Sequence, residues 1–204
     1  NNLTVDSTAV LAASVTTDPG TYTGDGGRID LTSTNGDVTI NGGSTVIGGV
    51  QRGLIDFSSG TTGDGGMLNV TASNGNITFN NANLDGSGAG FGGTISAIAS
   101  SNLNVDALSN FITAGTGGAG NNVMTLSGNT VSLLGNFDAS STSGIGGLID
   151  VDTNGSFTVG SGTANFDVSG AASNDGTIDI TGSSIATDAN TNFGNADLLL
   201  TSTN

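Results

Sequence analysis

The sequence predicts an all-β chain wound as a right-handed parallel β-helix, a β-solenoid of about six to seven coils, roughly 25–29 residues each, with three short strands per coil. Three observations predict it. A hydrophobic motif returns at a near-constant interval, apolar and polar residues alternate within each motif, and turn-forming residues dominate a composition with few helix formers.

The clearest motif is Ala164-Asn165-Phe166-Asp167-Val168, with relatives at Asn83-Leu84, Asn110-Phe111, Asn136-Phe137-Asp138-Ala139 and Asn192-Phe193, and a looser one at Asp56-Phe57. The hydrophobic members stand at 57, 84, 111, 137, 166 and 193, so successive steps are 27, 27, 26, 29 and 27 residues. Repeats of that length stack because one unit cannot bury its own apolar face. Stacking predicts an inner column of Phe57, Leu84, Phe111, Phe137, Phe166 and Phe193. It also predicts a side-chain amide ladder of Asn83, Asn110, Asn136, Asn165 and Asn192, each donating to the next as in other in-register strands. Loss of one such amide is expected to cost on the order of 1–2 kcal/mol.

Two further tracks accompany this one. The first opens on a glycine pair: Gly26-Gly27-Arg28-Ile29-Asp30-Leu31, Gly65-Gly66-Met67-Leu68-Asn69-Val70, Gly92-Gly93-Thr94-Ile95-Ser96-Ala97 and Gly146-Gly147-Leu148-Ile149-Asp150-Val151. Asn121-Asn122-Val123-Met124 and Asp175-Gly176-Thr177-Ile178 are its variants. The second track is Val38-Thr39-Ile40, Ile77-Thr78-Phe79, Leu103-Asn104-Val105, Val131-Ser132-Leu133, Phe157-Thr158-Val159 and Ile185-Ala186. A two-residue period is that of a strand with one buried face. Asn35-Gly36, Asn74-Gly75 and Asn154-Gly155 lie between the tracks and would ordinarily suggest hairpins. Here each segment has an equivalent one coil away, so parallel pairing satisfies its backbone and Asn-Gly becomes a corner.

The whole chain, 1–204, reads as one solenoid domain. Residues 1–23 form an irregular first coil, although Asn2-Leu3-Thr4-Val5-Asp6 matches the second track at Asn102-Leu103-Asn104-Val105-Asp106. The segment 42–52 (Gly42 to Arg52) is an insertion, expected as an outward loop or a local extra strand. Asp197-Leu198-Leu199-Leu200 is expected to open another first-track strand. With no amphipathic helix to cap either end, the reading is an excised segment or a subunit that stacks on copies of itself.

Composition narrows the function. The chain has 36 Gly, one Pro, no Cys, no His and no Trp, and its charge of −15 comes from 17 Asp against Arg28 and Arg52. Such a chain lacks the clustered cations that nucleic acid or an anionic membrane requires, and no apolar run is long enough for a helical span. Disulfides and thiolate metal sites are excluded. The regular alternation separates it from disordered chains of similar charge.

With the Gly-Gly-x-Ile-x-Leu/Val starts, the Asn-Gly corners and the Asn-Phe-Asp-Ala/Val strands, residues 24–190 resemble the filamentous-haemagglutinin class of bacterial surface proteins and, more loosely, β-strand-repeat adhesins. That resemblance implies a right-handed parallel β-helix, export across the outer membrane and an adhesive or structural fibre at the bacterial cell surface.

Carboxylates are the only candidate chemistry. Asp150 and Asp179 share one outward position on successive coils, as do Asp138 and Asp167. Such pairs, stacked about 4.8 Å apart, repel by roughly 1 kcal/mol in water. A hard cation such as Ca²⁺, taking oxygen ligands, would relieve this; otherwise they are solvated surface pairs, and no other cofactor is expected. Asp150 with Asp152 or Asp179 could in principle serve glycoside hydrolysis, as in β-helical glycosidases and lyases. No Lys, His or Trp is present to hold an acidic sugar, and no enzyme is expected. Thr-x-Thr at Thr21/Thr23, Thr32/Thr34 and Thr201/Thr203 falls on unmatched tracks, so an ice-binding face is not expected either. The expected function is an extracellular, non-enzymatic rod or fibre segment whose partners are flanking coils or copies of itself. The alternative is an adhesin that holds a glycan or protein receptor through its outer face or the loop 42–52.

Overall fold

In the computed structural model the alternation of apolar and polar residues becomes three parallel sheets, the faces of a right-handed parallel β-helix. The structure describes all residues except 8, 10, 14–23, 44–45, 48–49, 52–53, 118–121, 160–161, 189 and 204. Sheet A stacks β1 (Leu3–Val5), β4 (Val38–Asn41), β9 (Ile77–Asn80), β12 (Asn102–Val105), β15 (Thr130–Leu133), β18 (Ser156–Thr158) and β21 (Ser184–Ala186). Sheet B stacks β2 (Leu11–Ala12), β7 (Leu54–Asp56), β10 (Asn83–Asp85), β13 (Asn110–Ile112), β16 (Gly135–Asp138), β19 (Ala164–Asp167) and β22 (Thr191–Asn192). Sheet C, the widest face, stacks β3 (Arg28–Ser33), β8 (Met67–Ala72), β11 (Thr94–Ala99), β14 (Val123–Gly128), β17 (Leu148–Thr153), β20 (Thr177–Gly182) and β23 (Asp197–Ser202). Each strand pairs in parallel with its equivalents in neighbouring coils, so Asn-Gly turns corners here and closes no hairpin.

Both outlying segments fall as expected. Leu3 is in register with Val38 of the second track, and Asp197 with Thr177 of the first. Within the insertion, β5 (Val46–Ile47) and β6 (Val50–Gln51) pair antiparallel with each other, outside the three sheets. Arg52, Pro19, Tyr22, Asn121 and the pair Thr21/Thr23 lie outside the described residues.

The interior is filled by the inward-facing residues of all three sheets, and the largest buried side chains are phenylalanines. Phe111 and Phe137 meet at 5.2 Å, Phe137 and Phe166 stack at 4.9 Å, and Phe166 and Phe193 at 5.3 Å between ring centroids. One member of the expected column, Phe57, needs revision, while Leu84 lies in register with Phe111 as expected. Leu84 is in register with Ile55, not Phe57, because the strand after the insertion enters sheet B two residues earlier than the Asp-Phe motif suggests. Phe57 is still buried, but beyond the strand's end, packed where Gly86 leaves room in the next coil. The stack is instead extended by Phe79 of sheet A, edge-on to Phe111 at 4.8 Å.

The amide ladder exists and lies on the outer face. Asn110 donates through Nδ2 to Asn83 Oδ1 at 2.9 Å, Asn136 to Asn110 at 2.8 Å and Asn165 to Asn136 at 2.8 Å. Asn192 continues the register, while its Oδ1 accepts the Gly194 N–H at 3.0 Å. Because water can replace these partners, each amide contributes less than the sequence reading expects, about 1 kcal/mol or below.

Corners between sheets B and C are closed chiefly by backbone. Gly66, Gly93, Gly147 and Gly176 donate their N–H to the carbonyls of Phe57, Gly86, Ala139 and Val168, drawing each coil closed at 2.7–2.8 Å. A Cβ on Gly66 would collide with the carbonyl of Gly27 in the coil below, and one on Gly65 with the carbonyl of Gly86. In the coil whose first-track strand follows Asn122, that side chain substitutes for backbone. Its Oδ1 accepts the Gly92 N–H at 2.7 Å and its Nδ2 donates to the Ser140 carbonyl at 2.7 Å, with the residue only 1 % exposed.

Two predictions test this packing by urea denaturation. Phe137→Ala should cost roughly 3–5 kcal/mol as a core cavity, whereas Asn136→Ala should cost about 1 kcal/mol or less. Gly66→Ala should cost roughly 1–3 kcal/mol through overpacking against fixed backbone. Gly43→Ala, which meets only ordinary contacts with Ser7, should change stability by less than about 0.5 kcal/mol.

Candidate functional site

Each sheet turns a different chemistry outward. The strands of sheet A carry no ionisable residue at all, and their outward column runs Thr4, Thr39, Thr78, Asn104, Ser132 and Thr158. Sheet B carries the asparagine ladder beside a column of aspartates, and sheet C carries the remaining strand carboxylates together with Arg28.

Asp138 and Asp167 are in register as expected. The column also holds Asp56 and Asp85, and Ile112 interrupts it between Asp85 and Asp138. In all four coils the aspartate closes a tight turn: Oδ1 accepts the N–H of Ser58, Ser87, Ser140 or Ser169 at 2.9–3.0 Å. The signal for this was present as a repeated Asp-x-Ser, in which a short carboxylate bonds backbone two residues on. These carboxylates shape the exit from sheet B, so one oxygen of each is already engaged.

Asp150 and Asp179 are likewise in register, on sheet C, with Asp152 one outward position further along the same strand. All three lie on an open strand face. Asp150 is half-buried, and its carboxyl is pushed above the ordinary range by burial first, then by the negative charges of Asp179 and Asp152. Asp179 Oδ1 is buried without a hydrogen-bond partner. At the far end of the same column the situation is reversed. Asp30 accepts from Arg28 Nε at 2.8–2.9 Å and from Asn69 Nδ2 at 2.7 Å, and these bonds hold its carboxyl below the ordinary range. The Arg28 guanidinium is held above its usual value by the same bond.

Among the described residues no group of three or more acidic side chains is placed to hold a metal ion. A stacked pair alone supplies fewer oxygens than the six to eight that Ca²⁺ takes. Two grooves lie elsewhere, along the glycine corner. One of about 460 Å³ is lined by Gly26, Gly65, Gly66, Arg28 and Met67; another of about 310 Å³ is lined by Asn122, Ile145, Gly146, Leu148 and Thr177, with Asp175 at its side. Neither of these two grooves contains Asp150 or Asp179.

Among the described residues no helix is long and apolar enough to cross a membrane. Comparison with protein families, with curated proteins and with solved structures gives no match.

Protonation of Asp150 tests the electrostatics of sheet C. A carboxyl whose folded-state value is raised binds its proton more readily in the fold than in the unfolded chain. Its contribution to stability therefore declines as pH rises past the unfolded carboxylate's value of about 3.9. Asp150→Asn should stabilise the fold at pH 7, by well under about 1 kcal/mol because the site is partly solvated, and so raise the thermal midpoint. The gain should vanish near pH 3, where both states hold the proton; melts recorded across that range measure it.

Proposed function

We propose that this chain is a non-enzymatic structural segment of a bacterial extracellular or cell-surface protein, a rod whose task is mechanical. One observation carries the reading: three flush seven-stranded parallel sheets bonded along the whole axis around a closed apolar core. Every coil is held by backbone hydrogen bonds parallel to the rod, so bending or stretching must break ladders on three faces together. The acidic exterior, −15 overall, keeps neighbouring rods apart laterally.

A second reading is an adhesin module that holds a glycan or protein receptor. It is favoured by the β5–β6 pair, which stands outside the three sheets and is thereby free to differ from coil to coil without breaking register. Negative-stain images of the purified chain should show rods, and an array of glycans should retain none of it. Specific retention on such an array, abolished by deleting 42–52, would favour the adhesin instead.

A further inference from the structure

Glycine follows an asparagine or an aspartate eight times in this chain: after Asn35, Asn41, Asn74 and Asn154, and after Asp25, Asp64, Asp85 and Asp175. Such a step carries its own chemistry. Glycine has no Cβ to hinder approach, so its main-chain nitrogen can attack the side-chain carbonyl of the residue before it. At neutral pH asparagine is the reactive partner, because the charge of an aspartate carboxylate repels the nucleophile. The nitrogen must first give up its proton, so an N–H held in a hydrogen bond has to be released before it reacts. In this fold that requirement separates the eight steps.

Stacking of the coils holds six of the eight glycine N–H groups. Gly26 donates to the Asp64 carbonyl, Gly65 to Phe91, Gly86 to Ile112 and Gly176 to Val168, at 2.7–2.9 Å. After asparagine, Gly42 donates to the Asn80 carbonyl at 2.9 Å and Gly155 to Asn129 at 2.8 Å, with Thr153 Oγ1 as a second acceptor at 3.2 Å. Gly36 and Gly75 are the exceptions, since neither N–H meets an acceptor among the described residues. Their asparagines differ. Asn74 is tied down, its Nδ2 donating to the Thr34 carbonyl at 2.7 Å, and Gly75 beside it is buried. Asn35 is exposed, and its side chain has no partner among the described residues.

We propose that Asn35-Gly36 is a site of spontaneous covalent modification, where the folded chain deamidates ahead of its other Asn-Gly steps. The Gly36 nitrogen loses its proton and bonds to Asn35 Cγ; the Cγ–Nδ2 bond breaks, and ammonia leaves with that proton. The cyclic imide then takes up one water, with no change of oxidation state. Opening at Cγ leaves aspartate, and opening at the main-chain carbonyl leaves isoaspartate, with one more carbon in the backbone. The product falls at the corner between β3 and β4, two residues before Asp37, whose Oδ1 accepts from Asn76 N at 2.8 Å and Nδ2 at 3.0 Å. A new carboxylate or a longer main chain there acts on the contact between two coils, so the fold ages first at this corner.

Mass-spectrometric mapping of the folded chain after incubation at mildly alkaline pH, beside the same chain in guanidinium, tests this. In the folded chain Asn35 should convert about tenfold or more faster than Asn41, Asn74 or Asn154. In denaturant, where every glycine N–H is released, the four rates should come together. Asn35→Gln should remove the acidic species that accumulates on ion exchange during folded incubation, without moving it to another asparagine. Equal rates in the folded chain, or a faster Asn41, Asn74 or Asn154, would overturn the proposal. So would a lead for Asn35 that persists undiminished in denaturant, because the fold would then have no part in it. A folded chain in which no asparagine converts while the denatured chain converts fully would overturn it as well.

Discussion

Parallel in-register stacking is the constraint on which everything else in this molecule depends. A strand in such a ladder has its N–H and C=O groups satisfied by the same strand one coil away, so a residue's neighbours are its own equivalents. Each column must then suit being stacked on itself. Inward columns are apolar, and the phenylalanines of sheet B pass from edge-on to stacked contacts as the rod proceeds. Corner columns are glycine where two coils' backbones touch, since any side chain would occupy the carbonyl of the coil below.

Self-stacking also explains the polar exterior. An amide carries both donor and acceptor, so asparagine on asparagine satisfies itself, as along Asn83 to Asn165. A carboxylate has only acceptors and repels its copy. The chain handles that conflict in three ways: it gives the sheet B aspartates a backbone N–H within a turn, breaks their column with Ile112, and places Asn69 and Arg28 against Asp30. Around Asp150 and Asp179 the conflict is left standing, and it adds to the burial that raises the Asp150 carboxyl. An acidic pair in a solenoid is thus a cost of the architecture before it is evidence of a site.

The same rule bears on function. A face made of repeated columns varies little along the axis, and a flat neutral surface such as sheet A offers length more than specificity. Distinctive features arise where repetition fails, at the inserted β5–β6 pair. The functional readings proposed above divide along that line: the rod uses what repeats, the adhesin uses what does not.

The amino-acid sequence by itself determined the coil period, the three strands per coil and which residues of each strand face inward, because alternation and spacing are local properties of the chain. It also disclosed the asparagine ladder and the stacked aspartate pairs, which need only the period to be inferred. Tertiary structure decided the rest. Ile55 rather than Phe57 lies over Leu84 because the entry of a strand after an insertion depends on how the loop closes, not on motif likeness. Asn122 standing in for a glycine corner, Phe79 reaching across from sheet A, and the outer placement of the ladder depend on distances between coils. That Asp138 and Asp167 each hold a turn through one oxygen depended on which atoms reach them, and only the folded corners fix those distances.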